Sequence, residues 1–267
     1  MTHIQPRPIV LLTDFGQQDA FTGILKGVIA AISPESNVID LTHGVDPQDI
    51  LQGAFLLAAA CPYFPRGSVF CAIVDPGVGS DRKGICIQTR DYYFVGPDNG
   101  LLWKAASENR IKRIIHLTNP AYFLDSVSHT FQGRDIFAPV AAHISKGLED
   151  IARLGKPLKK CVEYSLPDIQ RTVDSLGLTI VHIDRFGNVT LNIEGTEFKQ
   201  FVHNKRFSLA IMGTRINRIV TFYSQALAGE LFLIESSSGY MEVALKNANA
   251  ADRLGVTCRD KCILTVF

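Results

Sequence analysis

The sequence predicts an α/β protein, with an N-terminal α/β domain on a largely parallel central sheet and a smaller C-terminal all-β domain. Strand-like and helix-like runs alternate over roughly the first 150 residues. A mostly polar stretch that contains prolines then separates them from a series of short alternating apolar runs with few helical signals. These observations place the two domains at residues 1–160 and 172–267.

The first half of the chain reads as strand, helix, strand, helix, strand. We predict strands at residues 9–12, 38–41 and 69–74, since each is a short apolar run that ends at a polar or turn-forming residue. Helices are predicted at about residues 21–32 and 48–60, where apolar side chains recur every three to four positions and a proline follows. This alternation is typical of a layered fold around parallel strands.

The next two apolar runs, at residues 85–87 and 92–95, lie close enough together to predict a hairpin. Beyond residue 172 apolar residues occur in short alternating runs, the pattern of half-buried strands, which fits a small barrel or sandwich. The runs in this region are 178–183, 189–193, 207–211, 219–222, 231–234 and 262–267.

Composition excludes several classes of protein. The formal net charge is +1, from 27 basic and 26 acidic side chains, so we expect no nucleic-acid partner. The six cysteines form no C-x-x-C pair, which predicts reduced, buried thiols and no metal site. The N-terminal apolar run is too short for a signal peptide or a membrane span, so we expect a cytoplasmic protein with no membrane partner.

Polar residues directly after the first predicted strand are the first candidate site. Ligands of open α/β sheets bind at the carboxyl ends of the strands, and Asp14 lies at such an end. A carboxylate there can accept two hydrogen bonds from the vicinal diol of a ribose. Asp19 follows in the same segment, where it can serve either the ligand or the N-cap of the next helix.

The loop after the third predicted strand, with the sequence Asp-Pro-Gly-Val-Gly-Ser-Asp-Arg, is the second candidate. Its glycines let the backbone approach a ligand, and the turn can fold Arg82 back toward Asp75. An Asp and an Arg at this spacing also fit an ordinary loop salt bridge. A phosphate-binding loop is weakly supported, because neither glycine-rich phosphate motif is present.

The third candidate is a polar loop before an apolar helix that begins near residue 136. His129 stands outside any apolar stripe there, as functional histidines often do, although an ordinary loop position is the alternative. For Asp135 we expect the role of helix cap.

Two turns of the all-β half carry suitable groups for a nucleoside and an amino acid. Asp184, Phe186 and Asn188 place an amide beside an aromatic ring, which suits a purine. The hydroxyls of the segment from Ser236 to Tyr240 suit an amino-acid carboxylate. Each segment taken alone is equally typical of a β-turn.

Taken together, these segments resemble one family, the S-adenosylmethionine hydroxide adenosyltransferases, which are related to fluorinating and chlorinating enzymes. The resemblance covers nearly the whole chain. It rests on five motifs in the expected order, namely Thr13-Asp14-Phe15-Gly16, Val74-Asp75-Pro76-Gly77-Val78-Gly79, Gly96-Pro97-Asp98-Asn99-Gly100-Leu101-Leu102, His129-Thr130-Phe131 with Gly133-Arg134-Asp135, and Asp184 with Phe186-Gly187-Asn188.

The resemblance implies a hydrolase that cleaves S-adenosyl-L-methionine with water at the ribose C5′, giving adenosine and L-methionine. It places the catalytic triad on Asp75, Arg82 and His129. In the fluorinating relatives a tyrosine replaces this aspartate, so the intact triad favours water over halide. The substrate-binding positions it implies are Asp14, Asp19, Phe131, Gly133, Asp184, Phe186, Asn188, Ser236, Ser237, Tyr240, Glu242 and Ala244.

The resemblance also implies a C-terminal β-barrel and a homotrimer with active sites between subunits. S-adenosylmethionine is the substrate, and we expect no cofactor and no metal. One departure concerns the methionine carboxylate, because Ser238 stands where the fluorinating enzyme has an arginine. Two alternatives stay open: a sensor that binds S-adenosylmethionine or adenosine without turnover, and a halogenase.

Overall fold

The computed structural model describes residues 5–267. The chain divides into two compact units, the first ending at Ser165 and the second running from Leu166 to Phe267. No helix in the described residues is long and apolar enough to cross a lipid bilayer.

In residues 5–165 the first unit contains seven strands and four helices. Its strands are β1 (Ile9–Thr13), β2 (Val38–Thr42), β3 (Val69–Ile73), β4 (Gly84–Gln88), β5 (Tyr93–Pro97), β6 (Arg113–Leu117) and β7 (Gly155–Leu158). Its helices are α1 (Phe21–Ile32), α2 (Ile50–Ala60), α3 (Trp103–Glu108) and α4 (Ala138–Ser145). Short 3-10 turns occur at Cys61–Tyr63, Pro120–Tyr122 and Ile151–Leu154, and a π-helical turn at Gly133–Phe137 leads into α4.

The sheet of this unit has the order β2-β1-β3-β5-β4-β6-β7 and is mixed. The strands β2, β1, β3 and β5 run parallel, whereas β4, β6 and β7 are joined by antiparallel pairing. The expectation of a largely parallel sheet is therefore only half right. The predicted hairpin of β4 and β5 is confirmed, and such a short connection can join only antiparallel strands.

Helices cover both faces of this sheet, and the two faces carry separate cores. Along β1, Val10 and Leu12 pack with Leu57 of α2, whereas Ile9 and Leu11 pack on the opposite side with α1 and α4. A strand buried on both faces is apolar at every position, as the unbroken run in β1 is.

The second unit is built on antiparallel strands. They are β8 (Gln170–Arg171), β9 (Ser175–Ile183), β10 (Val189–Glu194), β11 (Phe207–Ile211), β12 (Thr214–Ile216), β13 (Leu231–Glu235), β14 (Tyr240–Leu245) and β15 (Lys261–Val266). Two helices, α5 (Gly195–Val202) and α6 (Ala250–Leu254), and a 3-10 turn at Tyr223–Gln225 complete the unit.

The strands of the second unit follow the path β12-β11-β15-β9-β10-β14-β13, and β8 pairs with β9. An isolated bridge between Ile219 and Leu233 links the segment after β12 to β13, so the two ends of the path approach each other. The strand predicted at residues 219–222 is wrong, because this segment forms only that bridge and exposes both Ile219 and Phe222. The strand β14 was missed.

Candidate active site

A cavity of about 430 Å³ lies at the carboxyl ends of β1 and β3 in the first unit. Most of the residues that line it come from the loops after β1, β2 and β3 and from the loop before the π-helical turn, and the others lie at the ends of α1, β3 and that turn. The lining residues are Asp14, Phe15, Phe21, Pro47, Gln48, Ile73, Asp75, Pro76, Val78, Thr130, Phe131, Gln132 and Gly133. This is the edge of the sheet at which open α/β folds bind ligands.

Asp75, which lines this cavity, forms a bidentate ion pair with Arg82 next to it. Arg82 Nε donates to Asp75 Oδ1 at 2.8 Å, and Arg82 Nη2 donates to Asp75 Oδ2. The side chains are 7% and 10% exposed, respectively, so water screens the pair only weakly. A buried, fork-like pair of this kind fixes the direction of both groups, which an exposed loop salt bridge does not.

Gln132 is a member of this cluster that sequence reasoning missed. Its Oε1 accepts a hydrogen bond of 2.6 Å from Arg82 Nη2, and it lines the cavity. The guanidinium also lies over the ring of Phe137, with Cζ 5.3 Å from the ring centroid. Arg82 is therefore held on three sides, by Asp75, Gln132 and Phe137. In the sequence, Gln132 lies between the two parts of the His129 motif. Its position next to Phe131 and Gly133, two predicted site residues, was the only sequence feature that indicated a role for it.

His129 lies against the same loop through Gly79. A Cβ on Gly79 would stand 2.5 Å from the backbone oxygen of His129, and Gly79 has a φ of +79°, so only glycine fits. The imidazole of His129 is exposed and lies outside the lining of the cavity as the described residues define it. The structure thus brings Asp75 and Arg82 into direct contact and places His129 at the edge of their loop.

Asp135 does not cap a helix, contrary to expectation. It lies within the π-helical turn, fully buried, and accepts hydrogen bonds from Arg134 Nε at 2.6 Å and from the backbone N–H of Ser128 at 2.7 Å. Because Ser128 directly precedes His129, the buried carboxylate anchors the loop that carries the histidine. The helical turn begins before Asp135, which leaves it too far inside the helix for the N-cap position.

Asp14 lines the cavity, and its carboxylate is held by one hydrogen bond. The backbone N–H of Gln48 donates to Asp14 Oδ2 at 2.8 Å, from a loop in which Gln48 has a φ of +67°. Asp19 is exposed and lies outside the cavity lining as the described residues define it. It does not cap α1 either, since the N-cap residue is Ala20 and no side chain caps it.

An aromatic wall closes one side of this cavity. The ring centroid of Phe131 lies 5.2 Å from that of Phe21 and 5.9 Å from that of Phe15, in edge-to-face contact. Gly133 is buried beneath this wall, where a Cβ would crowd the side chain of Ile73 at 3.2 Å. The predicted positions Phe131 and Gly133 are thus both on the cavity.

A second cavity, of about 680 Å³, lies in the second unit. Its lining includes five of the predicted binding residues besides Asp184. The full lining is Asp184, Phe186, Asn188, Tyr223, Ile234, Glu235, Ser236, Ser237, Glu242, Leu245, Asn247 and Ala248.

The turn between β9 and β10 is organised by Asp184. Its Oδ1 accepts hydrogen bonds from the backbone N–H groups of Phe186 and Asn188, both at 2.9 Å, and its Oδ2 accepts one from Asn188 Nδ2, also at 2.9 Å. Gly187 has a φ of +83°, and a Cβ there would collide with the side chain of Asn249. These contacts present the exposed ring of Phe186 and the amide of Asn188 to the cavity.

Glu242 and Tyr223 are two groups on this cavity whose pKa is shifted from the ordinary value. Burial raises the pKa of Glu242 above its ordinary value, against a hydrogen bond from Thr190 Oγ1 of 3.2 Å. Burial also raises the pKa of Tyr223, and the carboxylates of Glu242 and Asp184 add to that shift. Sequence reasoning missed Tyr223, which lies in a segment with no recognisable motif.

The remaining predicted positions surround this cavity without all reaching it. Ser236 lies on the cavity, and its hydroxyl is 2.7 Å from that of Ser238. Tyr240 and Ala244 are buried in β14 and lie outside the lining as the described residues define it. Tyr240 nevertheless closes the serine turn, because its backbone oxygen accepts the N–H of Ser236 at 2.9 Å.

Models of two domains of one protein family match the two halves of the chain. A model of the SAM hydroxide adenosyltransferase N-terminal domain matches residues 9–155, and a model of the C-terminal domain of the same family matches residues 178–263. The chain belongs to the SAM hydroxide adenosyltransferase family.

The chain is also similar to individual proteins over nearly its whole length. A Salinispora tropica protein named (R)-S-adenosyl-L-methionine hydrolase is 39% identical over 97% of this chain and 98% of its own. A Methanocaldococcus jannaschii protein of the same name is 36% identical over 95% and 94%. A crystal structure of an uncharacterized conserved protein from Thermotoga maritima superposes with a TM-score of 0.90 at 32% identity, covering 96% of this chain and 99% of that one. More distant relatives are named fluorinase, such as one from Nocardia brasiliensis that is 23% identical over 92% of this chain and 92% of its own.

Proposed function

We propose that this chain hydrolyses S-adenosyl-L-methionine, with water attacking the ribose C5′, to give adenosine and L-methionine. The observation that carries the proposal is the buried Asp75–Arg82 pair, whose carboxylate lines a cavity at the strand ends, in a chain whose relatives over nearly the full length are named for this hydrolysis.

The main requirement of this hydrolysis is a water molecule placed correctly for attack on the ribose C5′. The sulfonium of the substrate is a good leaving group, so methionine departs without a general acid. Holding a water in line with the C–S bond supplies up to about 7–11 kcal/mol in favourable intramolecular reactions. The active site therefore has to bind a water, orient it and remove its proton.

We assign these tasks to the three residues of the implied triad. Arg82 stays protonated and cannot be the base, so it supplies the counter-charge to Asp75 and stabilises developing hydroxide. Its contact with Gln132 fixes the direction of the guanidinium fork. His129 accepts the proton of the water, with Asp75 orienting the water or sharing that task. The positive charge on sulfur is lost as the C–S bond breaks in the transition state. The aromatic wall around Phe131 provides an apolar surface near the reacting centre, which favours this loss of charge.

We assign the ribose to the first cavity and the base and amino acid to the second. The Asp14 carboxylate accepts hydrogen bonds from the ribose diol, since within the described residues it accepts only the backbone N–H of Gln48 and has acceptor capacity left. Phe186 stacks on the adenine and Asn188 bonds its edge. Ser236 and Ser237 meet the methionine carboxylate in place of the arginine that Ser238 replaces. Asp184 acts indirectly, by shaping the turn.

We further propose a homotrimer with active sites between subunits, in which residues of different chains contact one substrate. The support is the family resemblance together with exposed apolar side chains, Phe222 and Leu227, in the segment that contributes Tyr223 to the second cavity. A cytoplasmic location and a reaction without cofactor complete the proposal. Five buried thiols whose pKa is raised by burial support the location, since such cysteines are typical of reducing compartments.

Oxygen labelling tests the proposed function. Incubation of the purified chain with S-adenosylmethionine in heavy-oxygen water should place the label on the 5′-hydroxyl of adenosine, as mass spectrometry would show. Asp75→Asn, which keeps the shape of the side chain but not its charge, serves as the matched control and should form no product. Binding without product would make the chain a sensor. A 5′-halogenated nucleoside formed in chloride or fluoride would make it a halogenase. Unlabelled adenosine would exclude direct attack by water.

A further inference from the structure

A chain of polar groups, buried at Thr13 and His43 and more exposed at Asp40 and Lys26, lies next to Asp14. Thr13 Oγ1 lies 2.8 Å from Nδ1 of His43, and His43 Nε2 lies 3.1 Å from Asp40 Oδ1. Asp40 in turn accepts a hydrogen bond of 2.6 Å from Lys26. Thr13 is fully buried and His43 is 4% exposed, so neither side chain reaches a substrate.

The charge of Asp40 favours one direction for the Thr13 hydroxyl. The carboxylate of Asp40 favours the tautomer of His43 that carries its proton on Nε2, although the contact is too poorly aligned for a hydrogen bond and acts mainly by charge. Nδ1 of His43 then accepts the hydrogen of Thr13, which leaves the lone pairs of that hydroxyl for the backbone N–H of Phe15 at 3.2 Å.

The same histidine holds the turn after β1 a second time. Its backbone oxygen accepts the N–H of Gly16 at 2.8 Å. Asp14 therefore lies between two sets of hydrogen bonds that involve His43. One runs from the His43 ring through the Thr13 hydroxyl to the N–H of Phe15, and the other joins the His43 backbone oxygen to the N–H of Gly16. Its carboxylate direction is then set by the N–H of Gln48.

We propose that Thr13 and His43 are positioning residues that hold Asp14 in the geometry needed to bind the ribose diol. The inference rests on the proposed function, in which Asp14 binds that diol. A diol contact is made in the ground state and in the transition state alike, so its loss weakens binding and raises KM while kcat changes little.

Thr13→Val tests this, because valine keeps the shape and removes only the hydroxyl. It should weaken adenosine binding, and raise KM for S-adenosylmethionine, by about tenfold, the size expected when one buried hydrogen bond is lost. Binding of 2′,3′-dideoxyadenosine, which lacks the diol, should stay unchanged. Thr13→Ser restores the hydroxyl and should restore adenosine binding. His43→Asn, which keeps an acceptor near Nδ1, should likewise bind better than His43→Leu.

Thr89→Val is the matched control. Thr89 is also a buried threonine at a strand end whose hydroxyl accepts a backbone N–H, that of Tyr92 at 3.0 Å, but it lies on neither cavity. Both valine variants should lose thermal stability, whereas only Thr13→Val should change nucleoside binding.

The Thr13 and Asp14 variants distinguish failure of the positioning role from failure of the proposed function. If Thr13→Val melts lower but still prefers adenosine over the dideoxy analogue as the wild type does, the polar chain is purely structural and the inference is wrong. Equal weakening for both nucleosides would also overturn it. Asp14→Ala reports on the proposed function itself. If that variant keeps the preference for adenosine, the ribose assignment fails and the inference fails with it. If a Thr13 variant does not fold, the His43 pair gives the same comparison.

Discussion

Replacing Arg82 with lysine separates the shape of this side chain from its charge. The guanidinium makes two hydrogen bonds to Asp75 and one to Gln132. A lysine ammonium is a point donor on a flexible stem and cannot reproduce that fork. We therefore expect Arg82→Lys to keep the charge balance of the cavity but to lose one or two of the three bonds.

The expected cost follows from the burial of the pair. Both side chains are at most 10% exposed, so each lost charge-assisted bond is screened little. Losing one or two of these bonds should lower the free energy of unfolding by about 2–3 kcal/mol. This is less than the loss expected when one partner of a buried ion pair is removed and the other charge is left unpaired. In a unit of this size a loss of about 2–3 kcal/mol lowers the melting temperature by about 5–10 °C. A displaced carboxylate and water should lower kcat roughly a hundredfold.

The assay compares kcat at 25 °C, well below melting, with the circular dichroism spectrum as a check on folding. Arg113→Lys is the matched control, because Arg113 and Asp150 form an exposed pair with a bond of 2.8 Å, and its loss should leave the melting temperature and kcat nearly unchanged. If Arg82→Lys turns over within threefold of the wild type, the fork is not needed, and Arg82 acts only as a positive charge.

Two further predictions concern Gly79 and Glu242. Gly79→Ala should reduce kcat, because a Cβ 2.5 Å from the backbone oxygen of His129 pushes the histidine loop away. The control is Gly213→Ala, at a similar φ of +76° but in open space, which should lose some stability and no activity. Equal kcat losses in the two variants would contradict the argument. Glu242→Gln should raise the melting temperature of the ligand-free protein at pH 7. Burial raises the pKa of Glu242 above 4.5, so the stability this group contributes is present below pH 4.5 and is lost as pH rises through the folded-state pKa. The gap between variant and wild type should close below pH 4.5, and a gap that persists there would point to a lost contact instead.

Local pattern was sufficient for much of the first unit. The apolar runs predicted β1, β2 and β3, and the turn residues after β1 and β3 located Asp14 and Asp75 at the strand ends. These features depend on neighbours a few positions away, which side-chain periodicity reports directly. The failed strand at residues 219–222 shows the limit of that signal, since an apolar run need not be buried.

Which residues meet across the chain was decided only by the tertiary structure. Gln132 reaches Arg82 from 50 positions away, and His43 reaches Thr13 from 30. Asp135 caps no helix because the helical turn begins before it, and its carboxylate accepts the N–H of Ser128 from the loop that folds back onto it. The sequence by itself determined the elements and the polar residues at their ends. The contacts among those residues arose from the order of strands in the sheet, because that order sets which loops share an edge, and periodicity along the chain carries no record of it.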